Sequence, residues 1–241
     1  RMEIINFSEQ NSIINQYLAE IRDKDYQKNR TLFRRNIQRI GEIMAFNISR
    51  LLTYAPIQVE TPLGTATVEV PEDKIVIATV LRAGLPFHEG FLHVFDHAEN
   101  GFVSAFRMYT NREHTEVGVH TEYMACPSLE GKTLIIVDPM LATGGSASDA
   151  IKMLKEKGCT NIRLMCLVAA PEGIRRVQTD HPDVDIYTAS LDERLNVRLE
   201  ARAWGPVWPP VQRVHLRVRN VQDAPQPRRE RRLTATARAG N

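Results

Sequence analysis

From Lys74 onward, short apolar runs alternate with helix-forming stretches, and this alternation constrains the fold more than any other feature of the chain. Residues 75–81, 101–106, 133–137, 162–169 and 184–189 read as strands, and 85–95, 146–157 and 171–180 as the helices between them, with Gly158 closing the second. Strands that are apolar throughout must be covered on both faces, and crossover helices do this in a parallel sheet. The expected fold class is therefore α/β, a mostly parallel sheet flanked by helices. In such a sheet a ligand lies beyond the carboxyl ends of the strands.

The first 55 residues have a different texture and are expected to form an N-terminal helical region. Apolar residues at 13–22 and 33–52 recur at steps of three and four, as in Ile37, Ile40, Ile43, Met44, Ile48 and Leu51, which is the spacing of a helical stripe. Pro56 in "TYAP" is expected to end the second helix, because the residue before a proline is driven out of helical geometry. "VETPLGTATVEV" at 59–70 alternates around Pro62 and Gly64, the pattern of a hairpin. Residues 107–127 are a polar excursion, expected to be a flexible hairpin arm.

With 43% apolar residues in 241, the chain can fill a substantial core as one α/β domain or two small ones. Its longest apolar runs fall far short of the roughly 20 residues that cross a bilayer, so no membrane association is expected. "RMEIINFSEQNS" has no apolar core followed by a cleavage site, and a cytoplasmic location follows as the expectation. Cys126, Cys159 and Cys166 form no CxxC pair and suit reduced, structural roles. His88, His93 and His97 are spaced by five and four residues and do not share one helical face, which argues against a metal site there. The formal charge of +2 divides unevenly. Residues 197–241 hold ten arginines, three acids and no lysine, for +7, against −5 for the rest.

"VDPMLATGGSA" at 137–147 carries the chemistry. The strand at 133–137 brings Asp138 to its carboxyl end, where a carboxylate can accept hydrogen bonds from two ribose hydroxyls. Thr143, Gly144, Gly145 and Ser146 then lead straight into a helix. Glycines let backbone N–H groups converge on an anion, the two hydroxyls add donors, and the helix dipole favours negative charge. In isolation "TGGS" is an ordinary turn with a serine cap; the continuous order of strand, aspartate, loop and helix points instead to a phosphorylated ribose. Neither GxxxxGK[ST] nor GxGxxG occurs, so a P-loop or dinucleotide fold has little support. Ser146 and Ser148 have no evident histidine partner, which weakens hydrolase readings.

This segment closely resembles the phosphoribosyl-diphosphate loop of uracil phosphoribosyltransferases. "RTLFRR" at 30–35, "VETPLG" at 59–64, "VLRAGLP" at 80–86 and "YTASLDERLN" at 187–196 carry the same resemblance, over roughly residues 2–196. Most relatives with this sugar loop have two adjacent acids, whereas here Pro139 follows the single Asp138, as in the uracil enzymes. The resemblance implies that Asp138, Pro139, Met140, Leu141, Ala142, Thr143, Gly144, Gly145 and Ser146 hold phosphoribosyl diphosphate. Arg82 and Arg107 would grip its diphosphate, which suits the bidentate fork of a guanidinium. It further implies transfer of ribose 5-phosphate to N1 of uracil, giving UMP and diphosphate, with Mg2+ as cofactor, a homo-oligomer, and GTP as a candidate effector. The arm at 107–127 would close over the substrates, but "MYTN" interrupts the family pattern there, so no individual arm residue is carried over.

Family members read uracil with a segment resembling Gly-Tyr-Ile-Val-Pro-Gly-Leu-Gly-Asp-Ala-Gly-Asp-Arg. Here "VRLEARAWGPVWPPVQRV" stands in its place, and the uracil-binding residues are unknown. The sequence divides into a phosphoribosyltransferase domain at 1–196 and a divergent, basic, Pro/Arg-rich tail at 197–241, expected to be irregular or disordered. Two readings stay open. The break reflects a shift of reading frame, or the tail is genuine and the protein is a catalytically impaired regulatory relative that binds phosphoribosyl diphosphate without a uracil site. Beyond Trp204 and Trp208 the tail has no aromatic-interleaved motif, so a nucleic acid is not the expected partner.

Overall fold

The computed structural model describes residues 3–109 and 117–193. Their elements run β1 (Ile4–Asn6), α1 (Ile13–Arg22), α2 (Arg30–Ser49), β2 (Tyr54–Thr61), β3 (Gly64–Pro71), β4 (Ile75–Leu81), α3 (Leu85–Leu92), β5 (Glu99–Tyr109), β6 (Val117–Ala125), β7 (Thr133–Leu141), α4 (Gly145–Glu156), β8 (Asn161–Ala169), α5 (Pro171–Asp180) and β9 (Asp185–Leu191). Seven strands form one sheet in the order β1-β9-β8-β7-β4-β5-β6. All its pairs are parallel except β5 with β6. The expected α/β architecture is present.

The sheet separates two cores because successive side chains on a strand point to opposite faces. Val76, Ala78, Leu134, Ile136, Leu164 and Ile186 pack against α4 and α5 on one face. Ile77, Ile135, Val137, Met165 and Tyr187 pack against α1, α2 and α3 on the other. Ile37, Ile40, Met44 and Ile48 of α2 are the buried stripe that the spacing indicated. Ser12 caps α1 by accepting from the Ile14 amide at 3.2 Å, and Asn29 caps α2 through Leu32 at 3.2 Å.

Several expectations are corrected. The first 55 residues are not all helical, since Ile4–Asn6 form a strand beside β9. Helix α2 spans Arg30–Ser49 instead of 33–52. Pro56 does not end it, because it lies inside β2, in a hairpin longer than the one expected. Helix α3 stops at Leu92, short of residue 95. The hairpin arm expected at 107–127 is present: Arg107 lies within β5, and β6 returns antiparallel to it, Arg107 facing Val119. The arm is thus a continuation of the main sheet, and residues 110–116 lie outside the described residues. The tail at 197–241 also lies outside them.

Among the described residues the β2–β3 hairpin pairs only with itself and forms a separate two-stranded sheet. Leu63 at its turn is fully exposed, and Tyr54, Ile57 and Val68 are exposed along it.

Candidate active site

Strand β7 is the backbone of the site. It runs past residue 137 through Pro139 to Leu141, so Asp138 sits within the strand, opposite Cys166 of β8. Pro139 has no N–H to contribute to a ladder, which a position near the end of a strand tolerates. The Asp138 side chain accepts one hydrogen bond, from the Met140 amide at 3.2 Å. Burial outweighs that bond and pushes its carboxyl up to about 6 from the usual 3.8. The remaining lone pairs can take hydroxyl donors. Burial, with the charge of Asp138 added, also pushes the Cys166 thiol far up, which keeps it an unreactive core group.

After Leu141 the chain turns through Ala142, Thr143 and Gly144 into α4. Gly144 caps the helix in the left-handed region, φ 79°, with no side-chain hydrogen bond. A Cβ there would lie 2.6 Å from the Gly173 carbonyl oxygen and 2.9 Å from Arg176 Cβ. Only glycine fits this turn. The first amides of α4, at Gly145, Ser146 and Ala147, precede the first intrahelical bond, Ser148 N–H to Gly144 C=O at 2.9 Å. Such unpaired amides at the positive end of a helix form an anion site. The predicted residues 138–146 are therefore brought together as one strand end, loop and helix start.

Arg82 follows β4, which pairs directly with β7, Thr79 facing Val137. It is exposed, and its loop is folded tightly back on the strand: a Cβ on Gly84 would meet Thr79 Oγ1 at 2.1 Å. Thr31, Arg34 and Arg35 of α2, Arg82 and Ala83, and Glu89 of α3 line a cavity of about 660 Å3 beside it. Arg34 and Arg35 lie in the "RTLFRR" stretch, but their convergence with Arg82 needed the tertiary fold. Arg107 stands beyond the point where Leu81 of β4 faces Ser104 of β5. The backbone of β5 carries it to the same edge of the sheet, and its side chain lies outside the described residues.

Ser148 does have a histidine partner, contrary to the sequence reading. Its Oγ is 3.1 Å from His181 Nε2. The directions are wrong for a nucleophile, however. Ser148 donates to Asp180 Oδ2 at 2.6 Å, and His181 Nε2 is 2.8 Å from the Ser148 carbonyl oxygen, to which it can only donate. Ser148 is also buried. The cluster is a tie between helices, and the two sequence positions, 33 residues apart, gave no signal of it.

Among the described residues no group of three or more His, Cys, Asp or Glu could hold a metal ion. His88 bonds Asn100 at 2.7 Å and His93 bonds Glu42 at 2.8 Å, while His97 is exposed. All three cysteines are free.

The uracil phosphoribosyltransferase family model matches residues 8–200. A uracil phosphoribosyltransferase from Porphyromonas gingivalis is 44% identical over 197 residues, covering 81% of this chain and 90% of that protein. One from Halalkalibacterium halodurans is 42% identical over 186 residues, covering 76% and 86%. Among solved structures, the AQ2163 protein from Aquifex aeolicus superposes with a TM-score of 0.72 at 29% identity, over 80% of this chain and 89% of that one. A strand-end aspartate, a glycine turn and a helix start at the carboxyl edge of the sheet thus fall inside the span matched by the family model, and the chain belongs to the uracil phosphoribosyltransferase family.

Proposed function

We propose that the protein transfers the ribose 5-phosphate unit of phosphoribosyl diphosphate to N1 of uracil, releasing diphosphate and giving UMP in pyrimidine salvage. The observation that carries this reading is Asp138, a half-buried carboxylate with a single internal hydrogen bond, joined by a short loop to a helix-start anion site. Asp138 orients the sugar through its two ribose hydroxyls. The amides of residues 144–147, with Thr143 and Ser146, hold its phosphate, and Pro139 to Ala142 shape the wall between. Arg82 and Arg107 receive the diphosphate as its negative charge grows in a transition state with oxocarbenium character. Fixing the sugar in line with the base supplies the rest by proximity, without a protein nucleophile.

Magnesium fits this site as a partner of the diphosphate, because among the described residues no group of three or more His, Cys, Asp or Glu could hold the ion and Mg2+ is commonly bound through substrate phosphates while keeping several waters. When bound, the ion neutralises charge on the leaving group. Two further parts of the reading have structural support. The exposed apolar hairpin β2–β3 is a form marginally stable alone in water, which favours a homo-oligomer in which a second copy covers it. The cavity that Arg82 shares with Arg34 and Arg35 is of a size suited to a small ligand, and the two α2 guanidinium groups on its far side from the diphosphate would suit the phosphates of a GTP effector. No helix among the described residues is long and apolar enough to cross a membrane.

The domain boundary at 196 and 197 is proposed on the change of composition there and on a family match that stops at residue 200. A steady-state assay of UMP formation from uracil, phosphoribosyl diphosphate and Mg2+ tests the whole reading. Turnover supports it. Binding of phosphoribosyl diphosphate without UMP formation would refute it and leave a sugar-phosphate-binding relative.

A further inference from the structure

We propose that α5 is the positioning element of the phosphate loop, and that Gly173, with Asp180, sets how tightly the phosphate of the sugar is held. The inference rests on the sugar-phosphate reading of residues 138–146. Two contacts from one helix bracket the segment that presents amides to the anion. At the first, a Cβ on Gly173 would lie 2.6 Å from the Ala142 carbonyl oxygen and 2.7 Å from that of Leu141. The loop backbone therefore rests on the bare main chain of α5. The reciprocal contact, Gly144 against Gly173 and Arg176, is equally close. The Ala170 amide, just ahead of α5, also donates to the Leu141 carbonyl at 2.9 Å.

At the second contact, Asp180 Oδ2 accepts from Ser148 Oγ at 2.6 Å and from Arg176 Nε at 2.5 Å. Those two donors hold the Asp180 carboxyl below its usual range, the serine bond contributing most. His181, immediately after the helix, bonds the Ser148 carbonyl at 2.8 Å. Residues 142–148 are thus fixed at both ends by α5 and the residues adjoining it, with the amides of 144–147 between. Cradling an anion with main-chain amides requires their directions to be set before it arrives, and the glycine contact provides that without any side chain reaching the ligand. Gly173, Asp180 and Arg176 are positioning residues in this scheme.

Gly173→Ala tests it. Reaching the 3.4 Å of ordinary contact from 2.6 Å requires a shift of about 0.8 Å in the loop or in α5. A misplacement of about 1 Å can cost on the order of 100-fold, so a loss of at least about 10-fold in affinity is expected. The assay is calorimetry on the full chain with two probes, ribose 5-phosphate and Mg2+ pyrophosphate, which separate the loop from Arg82. The proposal expects ribose 5-phosphate to lose at least about 10-fold, or about 1.4 kcal/mol, with pyrophosphate affinity unchanged. Unchanged ribose 5-phosphate affinity, or an equal loss for both probes, would overturn it. Asp180→Asn removes the charge at the second contact without adding bulk and should weaken ribose 5-phosphate alone, by a few-fold; no change there also counts against α5. Wild-type protein binding neither probe would instead remove the sugar site itself, and this inference with it.

Discussion

Replacing Asp138 by asparagine should make the protein more stable and less able to bind its substrate. Its carboxyl is pushed up to about 6 from 3.8 by burial, against the opposing pull of the Met140 amide. At about 1.4 kcal/mol per pH unit, ionising it inside the fold costs about 3 kcal/mol more than in the unfolded chain. Asp138 is only half-buried, so this is an upper figure. An acid with a raised folded pKa binds protons more tightly in the native state, so the stability it contributes is present below pH 4 and is lost as pH rises through 6. Asparagine keeps an oxygen for the Met140 amide and never ionises. The difference between Asp138→Asn and wild type should then be near zero at pH 4, grow up to pH 6 and level off at no more than about 3 kcal/mol. For a domain of this size that is a rise of up to about 10 °C in Tm. Thermal unfolding of both proteins from pH 4 to 8 measures it directly. Affinity for phosphoribosyl diphosphate should fall at least about 10-fold, because hydrogen bonds to a charged acceptor are worth roughly 1.5–3 kcal/mol. Parallel melting curves across the pH range would refute the burial argument, and unchanged affinity would remove Asp138 from the sugar site.

Three other perturbations are informative. Arg82→Lys keeps the charge but loses the planar fork, and should weaken Mg2+ pyrophosphate binding by about 1 kcal/mol or more; equal affinity by calorimetry would count against bidentate contact. Gly144→Ala forces a side chain into the left-handed region at φ 79° and to within 2.6 Å of Gly173 O, so about 1–2 kcal/mol of stability should be lost to conformation alone, as read by urea unfolding. Arg22 bonds the buried Asp192 at 3.0 Å, whose carboxyl burial pushes up to about 7. Arg22→Met strands that carboxylate, and the variant should lose about 3 kcal/mol at pH 8, with the deficit shrinking towards pH 5 as Asp192 takes up a proton; a deficit constant with pH would exclude this explanation.

Where one element's own periodicity decides its structure, the sequence was a sufficient guide. Helices α1 and α5 lie at 13–22 and 171–180, as their spacing indicates. Strand β1 escaped because three residues have no period, and their extended form comes from pairing with β9. Strand β6 was legible only as part of a hairpin arm without bounds, because it lies at the edge of the sheet, where polar residues are tolerated and the apolar signal is lost. In the site, Asp138 and the glycine turn were legible because strand, loop and helix are consecutive in the chain. Gly173 was not legible. Its significance is a backbone approach to Leu141 and Ala142 across some thirty residues, and a glycine shows no such neighbour in a string of letters.

The pairing of β1 with β9 also orders events in time. Ile4 faces Ile186, partners separated by the synthesis of nearly the entire described chain. As the polypeptide leaves the ribosome, β4 and β7 can found the sheet and β8 extend it, while the first of the described strands waits for the last of them. The β1 edge is therefore sealed only when β9 has emerged. A nascent chain halted before that point carries an Ile-Ile-Asn segment that lacks the β9 partner it has in the folded protein.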